Sequence, residues 1–293
     1  MKNVELFEEL SNNECFEIAQ KWNTIDGIYQ DYDISFEEAL KFYSSIDKSK
    51  RVMFVMKDSY VKDADNESLF FTENETIDDS FIKITNAYTN NDDINSVRSY
   101  LTNISDRNAD NKTAFIKIAA SSKWIIENKK GESSFIIDGS YNQYTKKIAF
   151  ININKEFWGL TSGEKHISSA YKKYRTIQLS QIMIIDPGVI IFCGTFKYFK
   201  EDLKKYINIT SLQIKNIKYD KKAKQLIQCY ISTKDSSSSL IINTYHPRWW
   251  NKSTPYIFTQ VINKWINYEE VGLSDDVHLT DKFDKSEKYI GNN

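Results

Sequence analysis

The chain has 293 residues, of which 41% are hydrophobic and 14% aromatic, and its formal net charge is -1. This composition predicts a folded protein with a sizeable core and excludes a disordered chain. No apolar run is long enough to cross a bilayer, and the first residues are acidic where a secretion signal would be basic and then apolar, so we expect a cytoplasmic protein with no membrane partner.

The three cysteines argue against a metal or disulfide framework. Cys15, Cys193 and Cys229 are far apart in sequence, odd in number and without CxxC spacing. We therefore expect ordinary buried thiols, no metal site and no cofactor.

Charge is distributed unevenly along the chain. Residues 1–100 carry 10 Lys and Arg against 21 Asp and Glu, residues 101–268 carry 26 against 12, and residues 269–293 carry 3 against 7. A basic centre is typical of a face that binds the phosphates of nucleic acid, although a solvated basic face without a partner is a common alternative. The acidic amino-terminal region is a candidate docking surface for a protein partner.

The first third of the chain predicts helices, then a strand, then an insertion. Residues 1–47 form a helical extension in this interpretation, with Ser35 as the N-cap of the helix SFEEALKFYSS. RVMFVMKDSY is an apolar run that ends abruptly in polar residues, which is typical of a buried parallel strand. Residues 61–110 are rich in Asn, Asp, Thr and Ser and predict a surface insertion with some helix.

Three more strands of the same kind follow. KIAFININK is the second, IDPGVIIFCGTFKYF contains the third and leads into a helix, and SLIINTYHPRWW is the fourth. The segment LQIKNIKYDKKAKQLIQCYIS predicts a hairpin or helix-turn region beside the sheet. PYIFTQVINKWI predicts a closing helix whose inner face carries Ile257, Val261 and Ile262.

Alternation of strands and helices predicts one α/β domain over residues 1–293. We expect a three-layer α/β/α sandwich with a central, mostly parallel four-stranded sheet, an α/β core over residues 48–268 and an acidic tail over 269–293. In such sheets, ligands bind at the carboxyl ends of the strands.

Polar residues follow all four predicted strands, so an acid, an amide and an imidazole would share one cleft. These residues are Asp58 and Tyr60, Asn152 and Asn154, Gly194 and Thr195, and His246 with Pro247, Arg248, Trp249 and Trp250.

At these motifs the chain resembles the uracil-DNA glycosylase superfamily, over about residues 50–266. Members place a GQDPY-like motif after the first strand, an asparagine at the end of another and an HPS-type motif after the last. The counterparts here are MKDSY, AFININK and HPRWW, in the same order. Each motif is short, and their order and strand context give them weight.

The resemblance implies a DNA glycosylase that hydrolyses the N-glycosidic bond of uracil or a modified pyrimidine and leaves an abasic site. Asp58 would stabilise the cationic sugar and orient the attacking water, and His246 would donate a hydrogen bond to the departing base. An Asn side chain suits the edge of a flipped pyrimidine; Asn152 ends the apolar run and is preferred to Asn154.

The resemblance also assigns residues to the DNA and to the pocket wall. Trp250 matches the apolar wedge that fills the space left by a flipped base, with Trp249 beside it and Arg248 available to a phosphate. Tyr60 would block a 5-methyl group. Further expected phosphate contacts are Ser59, Lys155, Lys165, Lys172, Lys173 and Arg175.

Four positions depart from the family pattern. Lys57 replaces the glutamine, Ser59 replaces the first proline, and Arg248 and Trp249 replace the serine and proline after the histidine. A charged donor at Lys57 puts plain uracil in doubt as the substrate and would suit a larger pyrimidine. Some relatives excise modified bases from phage DNA, so antiviral defence is a candidate role beside base-excision repair.

Structural readings of the same residues remain open. In these alternatives, Asp58 and Asn152 only close turns, and His246 is a hydrogen-bonded structural histidine. Trp249 and Trp250 are then core residues. At the level of function the alternatives are a catalytically silent module that binds nucleic acid or protein, and a small-molecule hydrolase that uses Asp58 and His246. The hydrolase is disfavoured because no serine or cysteine lies in a nucleophile elbow.

Overall fold

The computed structural model describes residues 36–58, 114–127, 147–155, 163–214, 227–234, 237–250, 254–271 and 277–280, together with Glu17, Ala19 and Tyr144. The predicted insertion at 61–110 and the predicted N-cap Ser35 lie outside the described residues. None of the helices in the described ranges is long and apolar enough to span a membrane.

Five helices and seven strands make up the described fold. The helices are α1 (Phe36–Ser45), α2 (Ala114–Glu127), α3 (Glu164–Ile185), α4 (Phe196–Tyr206) and α5 (Thr254–Val271). The strands are β1 (Val52–Asp58), β2 (Ala149–Asn154), β3 (Val189–Cys193), β4 (Asn208–Ile214), β5 (Ile227–Lys234), β6 (Ser237–Thr244) and β7 (Val277–Thr280). Short 3-10 turns cover Lys48–Lys50 and Pro247–Trp249.

The sheet is larger than the sequence predicts. Its strand order is β2-β1-β3-β6-β5-β4-β7, and the four predicted strands are the first four, paired in parallel. The other three pair antiparallel, so the sheet is mixed and not four-stranded. β4 and β5 mix polar and apolar residues, as in NITSLQI and IQCYISTK, and neither strand is apolar over most of its length.

Two described segments lie in the range of the expected acidic tail, residues 269–293. Residues 269–271 continue α5, and Val277–Thr280 pair with β4. Four residues are too few for a distinct periodic pattern, so the pairing depends on the neighbouring strand. The segment expected to form a hairpin or helix-turn region beside the sheet contributes β4 and β5, an antiparallel pair that lies within the sheet.

Helices cover both faces of the sheet because side chains alternate along each strand. Met53 and Val55 of β1 pack in a core with α1, α3 and α4, whereas Val52, Phe54 and Met56 pack in a second core with α2 and α5. The predicted inner face of α5 is confirmed, since Ile257, Val261 and Ile262 are all buried in the second core.

The strand order reverses between β1 and β3, and we call the space outside the carboxyl ends of these two strands the β1/β3 crevice. The chain leaves β1 for β2 on one side of it and then crosses back to β3 on the other side. The two crossovers carry α2 and α3, which pack on opposite faces of the sheet. In an open α/β sheet the ligand crevice lies where the strand order reverses, outside the carboxyl ends of the strands.

Gly188 fixes the amino-terminal end of β3, at the end of the sheet opposite the β1/β3 crevice. A Cβ atom on this residue would lie 1.7 Å from the backbone oxygen of Lys48, so only glycine fits where β3 enters beneath the turn before β1. Both Gly188 N–H and Val189 N–H donate to the Arg51 carbonyl oxygen, at 3.0 Å each. The predicted Pro187-Gly188 turn thus sets the start of β3 relative to β1.

Candidate active site at the carboxyl edge of the sheet

The carboxyl ends of the four parallel strands lie at one edge of the sheet, although β3 and β6 end two residues before β1 and β2. Asp58 of β1 is aligned with Asn154 of β2, and Cys193 of β3 is aligned with Thr244 of β6. His246 follows Thr244 by two residues. The sheet therefore places the segments that contain Asp58, Asn154 and His246 along one edge, around the β1/β3 crevice.

Gly194 lies at the middle of this edge and has a φ of 74°, in the left-handed region. Its N–H donates to the Thr244 carbonyl oxygen at 2.6 Å, which joins the end of β3 to β6. The position of a Cβ atom on Gly194 lies 3.6 Å from the His246 backbone nitrogen and 3.7 Å from Lys57 Cε. Lys57 and the backbone of His246 are thus neighbours across the glycine.

Lys197 and the first turns of α3 and α4 lie near Lys57. Lys197, in the first turn of α4, donates a hydrogen bond to Glu164, in the first turn of α3. The pKa of the Glu164 carboxyl is lowered by this hydrogen bond, by the charge of Lys197 and, more weakly, by the charge of Lys57. The charges of two lysines therefore lower the pKa of the same carboxyl group, that of Glu164.

The amino termini of α3 and α4 add to this positive field. Within the described residues neither helix has a side-chain cap, because Gly163 precedes α3 and the Thr195 hydroxyl before α4 donates instead to the Val55 carbonyl oxygen at 2.8 Å. Uncapped N–H groups at a helix start favour negative charge. This edge suits a phosphate or a group that gains negative charge during a reaction.

Both candidate base-reading amides are buried. Asn152 is 6% exposed and Asn154 is fully buried. Asn154 Nδ2 lies 3.2 Å from Nε2 of His166, in the first turn of α3. This contact fixes the orientation of the Asn154 amide.

His166 is the site residue that sequence reasoning missed. The available signal was its position in GEKH, at the start of a helix that follows the second predicted strand, since such helices begin at the carboxyl edge of the sheet. The sequence contains only three histidines, which also marks this one for attention.

Lys155 does not lie on a DNA-facing surface, which corrects its expected phosphate contact. It is fully buried, and its Nζ donates to Gln181 Oε1 of α3 at 2.7 Å. Lys155 continues the alternation of Ile151 and Ile153, whose side chains pack toward α3. Its amine thus joins the end of β2 to α3.

The tryptophan pair corrects the wedge assignment. Trp250 is 3% exposed, its indole N–H donates to the Tyr245 carbonyl oxygen at 2.7 Å, and its ring contacts Phe258 at a centroid distance of 5.0 Å. Trp249 is 73% exposed. Trp250 is therefore a core residue, and Trp249 is the aromatic ring that this turn presents to solvent.

The remaining expected site residues lie partly outside the described residues. Ser59 and Tyr60 lie outside the described residues, and the structure describes Asp58 and Arg248 by their backbone alone. Four of the expected phosphate-binding residues are exposed on α3: Lys165, Lys172, Lys173 and Arg175. Their contact with DNA stays a prediction.

The described cysteines are buried thiols, as expected. Burial raises the pKa of Cys193 well above its usual range and raises the pKa of Cys229 to about 12, so both stay protonated at neutral pH. Cys15 lies outside the described residues. Across the described ranges, no group of three His, Cys, Asp or Glu residues has the arrangement of a metal site.

Comparison with known proteins assigns no family to this arrangement. No protein-family model matches the chain, and no curated protein matches it in sequence.

Proposed function

We propose that the protein is a monofunctional DNA glycosylase that removes uracil or a modified pyrimidine from DNA by hydrolysis of the N-glycosidic bond. The observation that carries the proposal is the alignment of Asp58 with Asn154 and the position of His246, two residues after the end of β6, at the same carboxyl edge of the parallel strands. This is where an α/β sheet binds its ligand.

The proposed chemistry needs opposite charges on the two sides of the bond. As the bond to the base breaks, the sugar gains positive charge and the base gains negative charge. Asp58 stabilises the sugar cation and orients the water that attacks it, and His246 donates a hydrogen bond to the oxygen of the departing base. One such donor contributes about 3 kcal/mol in a site from which water is excluded.

The surroundings of His246 support this division of roles. Lys57 lies next to the His246 backbone across Gly194, and the uncapped amino termini of α3 and α4 lie at the same edge. These groups stabilise the negative charge of the departing base or of a neighbouring phosphate. In the proposal, Asn154, oriented through His166, reads the edge of the flipped base together with Asn152.

Trp249 supplies the apolar group that a base-flipping protein needs at the rim of its pocket. It is exposed, and it lies three residues after His246 in a short 3-10 turn. Extrusion of a base costs a few kcal/mol, and an aromatic ring stacked in the vacated space offsets part of that cost.

The test is base release from defined DNA. Purified protein is incubated with single- and double-stranded DNA that contains uracil or a bulky modified cytosine, and alkali then reveals abasic sites. We expect release by the wild-type protein and its loss in Asp58→Asn. Asp186→Asn is the matched control, because Asp186 lies at the opposite edge of the sheet in a left-handed conformation that asparagine tolerates.

A silent nucleic-acid-binding module is the second candidate, and the exposed Trp249 and the uncapped helix ends at this edge of the sheet favour it equally. This candidate predicts salt-dependent DNA binding by the wild-type protein without base release on any template. That combination of results would refute the glycosylase proposal.

A further inference from the structure

Lys117 of α2 is a buried amine that the proposed chemistry does not use. It is 7% exposed, and its Nζ donates to the backbone carbonyl oxygen of Trp250 at 2.6 Å. Desolvation lowers the pKa of this lysine, which shows that burial of its charge is unfavourable. An apolar side chain would avoid that cost, so the position of the amine calls for an explanation other than packing.

The bond from Lys117 closes a compact turn. Trp249 N–H donates to the His246 carbonyl oxygen at 2.9 Å, and Trp250 N–H donates to the Pro247 carbonyl oxygen at 3.0 Å. The Trp250 indole N–H donates back to the Tyr245 carbonyl oxygen at 2.7 Å. Residues 245–250 therefore form one hydrogen-bonded unit, which we call the His246 turn.

The His246 turn is attached to the core at two points. Its start continues β6, and its end is held by the Trp250 ring, packed against Phe54 of β1 and Phe258 of α5, and by the amine of Lys117. Between these attachments lie His246, the proposed donor to the base, and Trp249, the exposed aromatic residue. The angle at which both leave the sheet depends on where the Trp250 backbone is held.

We propose that Lys117 is a positioning residue, which holds the Trp250 carbonyl so that the His246 turn presents His246 to the base and Trp249 to the DNA. The inference rests on the proposed function for its role in catalysis. Its mechanical part, the support of the turn, stands on the geometry alone.

Three variants test the support of the turn. Lys117→Met keeps an apolar stem and removes the donor, Lys117→Arg keeps a donor that reaches the carbonyl, and Ser122→Ala removes a buried hydrogen bond within α2 that does not involve the turn. Amide hydrogen exchange is measured at Trp249 and Trp250, whose N–H groups close the turn. If Lys117→Met does not fold, Lys117→Gln replaces it, because its donor is one atom too short to reach the carbonyl.

We expect exchange at these two amides to be about tenfold faster in Lys117→Met, as for the loss of one charge-assisted hydrogen bond, and to return toward the wild-type rate in Lys117→Arg. Unchanged exchange in Lys117→Met, or an equal increase in Ser122→Ala, would overturn the proposal.

Base release tests the catalytic part. We expect kcat/KM to fall about tenfold in Lys117→Met, to recover partly in Lys117→Arg and to stay unchanged in Ser122→Ala. A fall in Lys117→Met without recovery in Lys117→Arg would refute the positioning role. Wild-type protein that releases no base would refute the proposed function, and hydrogen exchange would still decide whether Lys117 supports the turn.

Discussion

Asp58 of β1 and Asn154 of β2 are the last aligned pair of two neighbouring parallel strands, although 96 positions separate them in the chain. Parallel strands need a long crossover, so such a pair is formed only when the whole crossover folds. The proposed acid and the proposed base-reading amide consequently depend on the β1-β2 ladder for their spacing.

The two adjacent tryptophans are expected to have different roles. Trp250→Ala removes a ring buried against Phe54 and Phe258 and should lower the free energy of unfolding by about 3 to 5 kcal/mol. Trp249→Ala should leave stability nearly unchanged and weaken DNA binding by about tenfold, as for the loss of one stacked base. Urea denaturation and fluorescence anisotropy with labelled DNA measure the two effects. If Trp249→Ala bound DNA normally, Trp249 would have no role at the interface.

His166 should influence activity through Asn154. His166→Phe removes the imidazole nitrogen that lies 3.2 Å from Asn154 Nδ2 and should lower kcat/KM for base release about tenfold, since one oriented hydrogen bond is lost. The double variant with Asn154→Ala should then be no slower than Asn154→Ala alone, because both changes act on one interaction. Additive losses in this double-mutant cycle would show that His166 acts independently.

Gly194 should not accept a side chain. Gly194→Ala places a Cβ atom 3.6 Å from the His246 backbone nitrogen at a φ of 74°, and we expect a loss of about 1 to 2 kcal/mol in the free energy of unfolding from the left-handed conformation. Gly163→Ala is the control, because no atom lies within 4 Å of its added Cβ. Equal stability of the two variants in urea would contradict this account of Gly194.

Lys155 and Lys172 should differ in their effect on salt dependence. Lys172 is exposed on α3, and loss of one phosphate contact in Lys172→Met should reduce the slope of log K against log salt by about 0.9. Lys155→Met should leave this slope unchanged, because the amine is buried against Gln181. The slope is measured by DNA-binding titrations at several salt concentrations. A reduced slope for Lys155→Met would show that Lys155 does contact a phosphate.

Cys229 should make stability fall at alkaline pH. Burial raises the pKa of its thiol from 9.0 to about 12, so the folded state holds its proton where the unfolded state loses it. The contribution to the free energy of unfolding is therefore complete below pH 9 and is lost as the pH rises toward about 12. Cys229→Ala should show a smaller decrease than the wild-type protein between these pH values in urea denaturation. Identical pH profiles would contradict the assignment.

The strands that could be predicted were those with the strongest local pattern. β1, β2, β3 and β6 each contain an apolar run, because a strand covered on both faces needs apolar side chains in both directions. β4, β5 and β7 lie in the antiparallel half of the sheet. β4 and β5 mix polar and apolar residues, and β7 has only four residues. Their place in the sheet required the neighbouring strands.

The sequence by itself determined the α/β class, the four parallel strands and the polar segments that end them, because these are properties of local hydrophobic pattern. Only the tertiary structure decided which of two adjacent tryptophans is buried, which lysine is exposed and which histidine contacts Asn154. Local pattern cannot distinguish these residues, because burial of a single side chain depends on helices that come from distant parts of the chain. Lys117 contacts Trp250 across 133 positions, and Lys155 meets Gln181 across 26, so each residue's environment is set by the packing of α2 and α3 on the sheet.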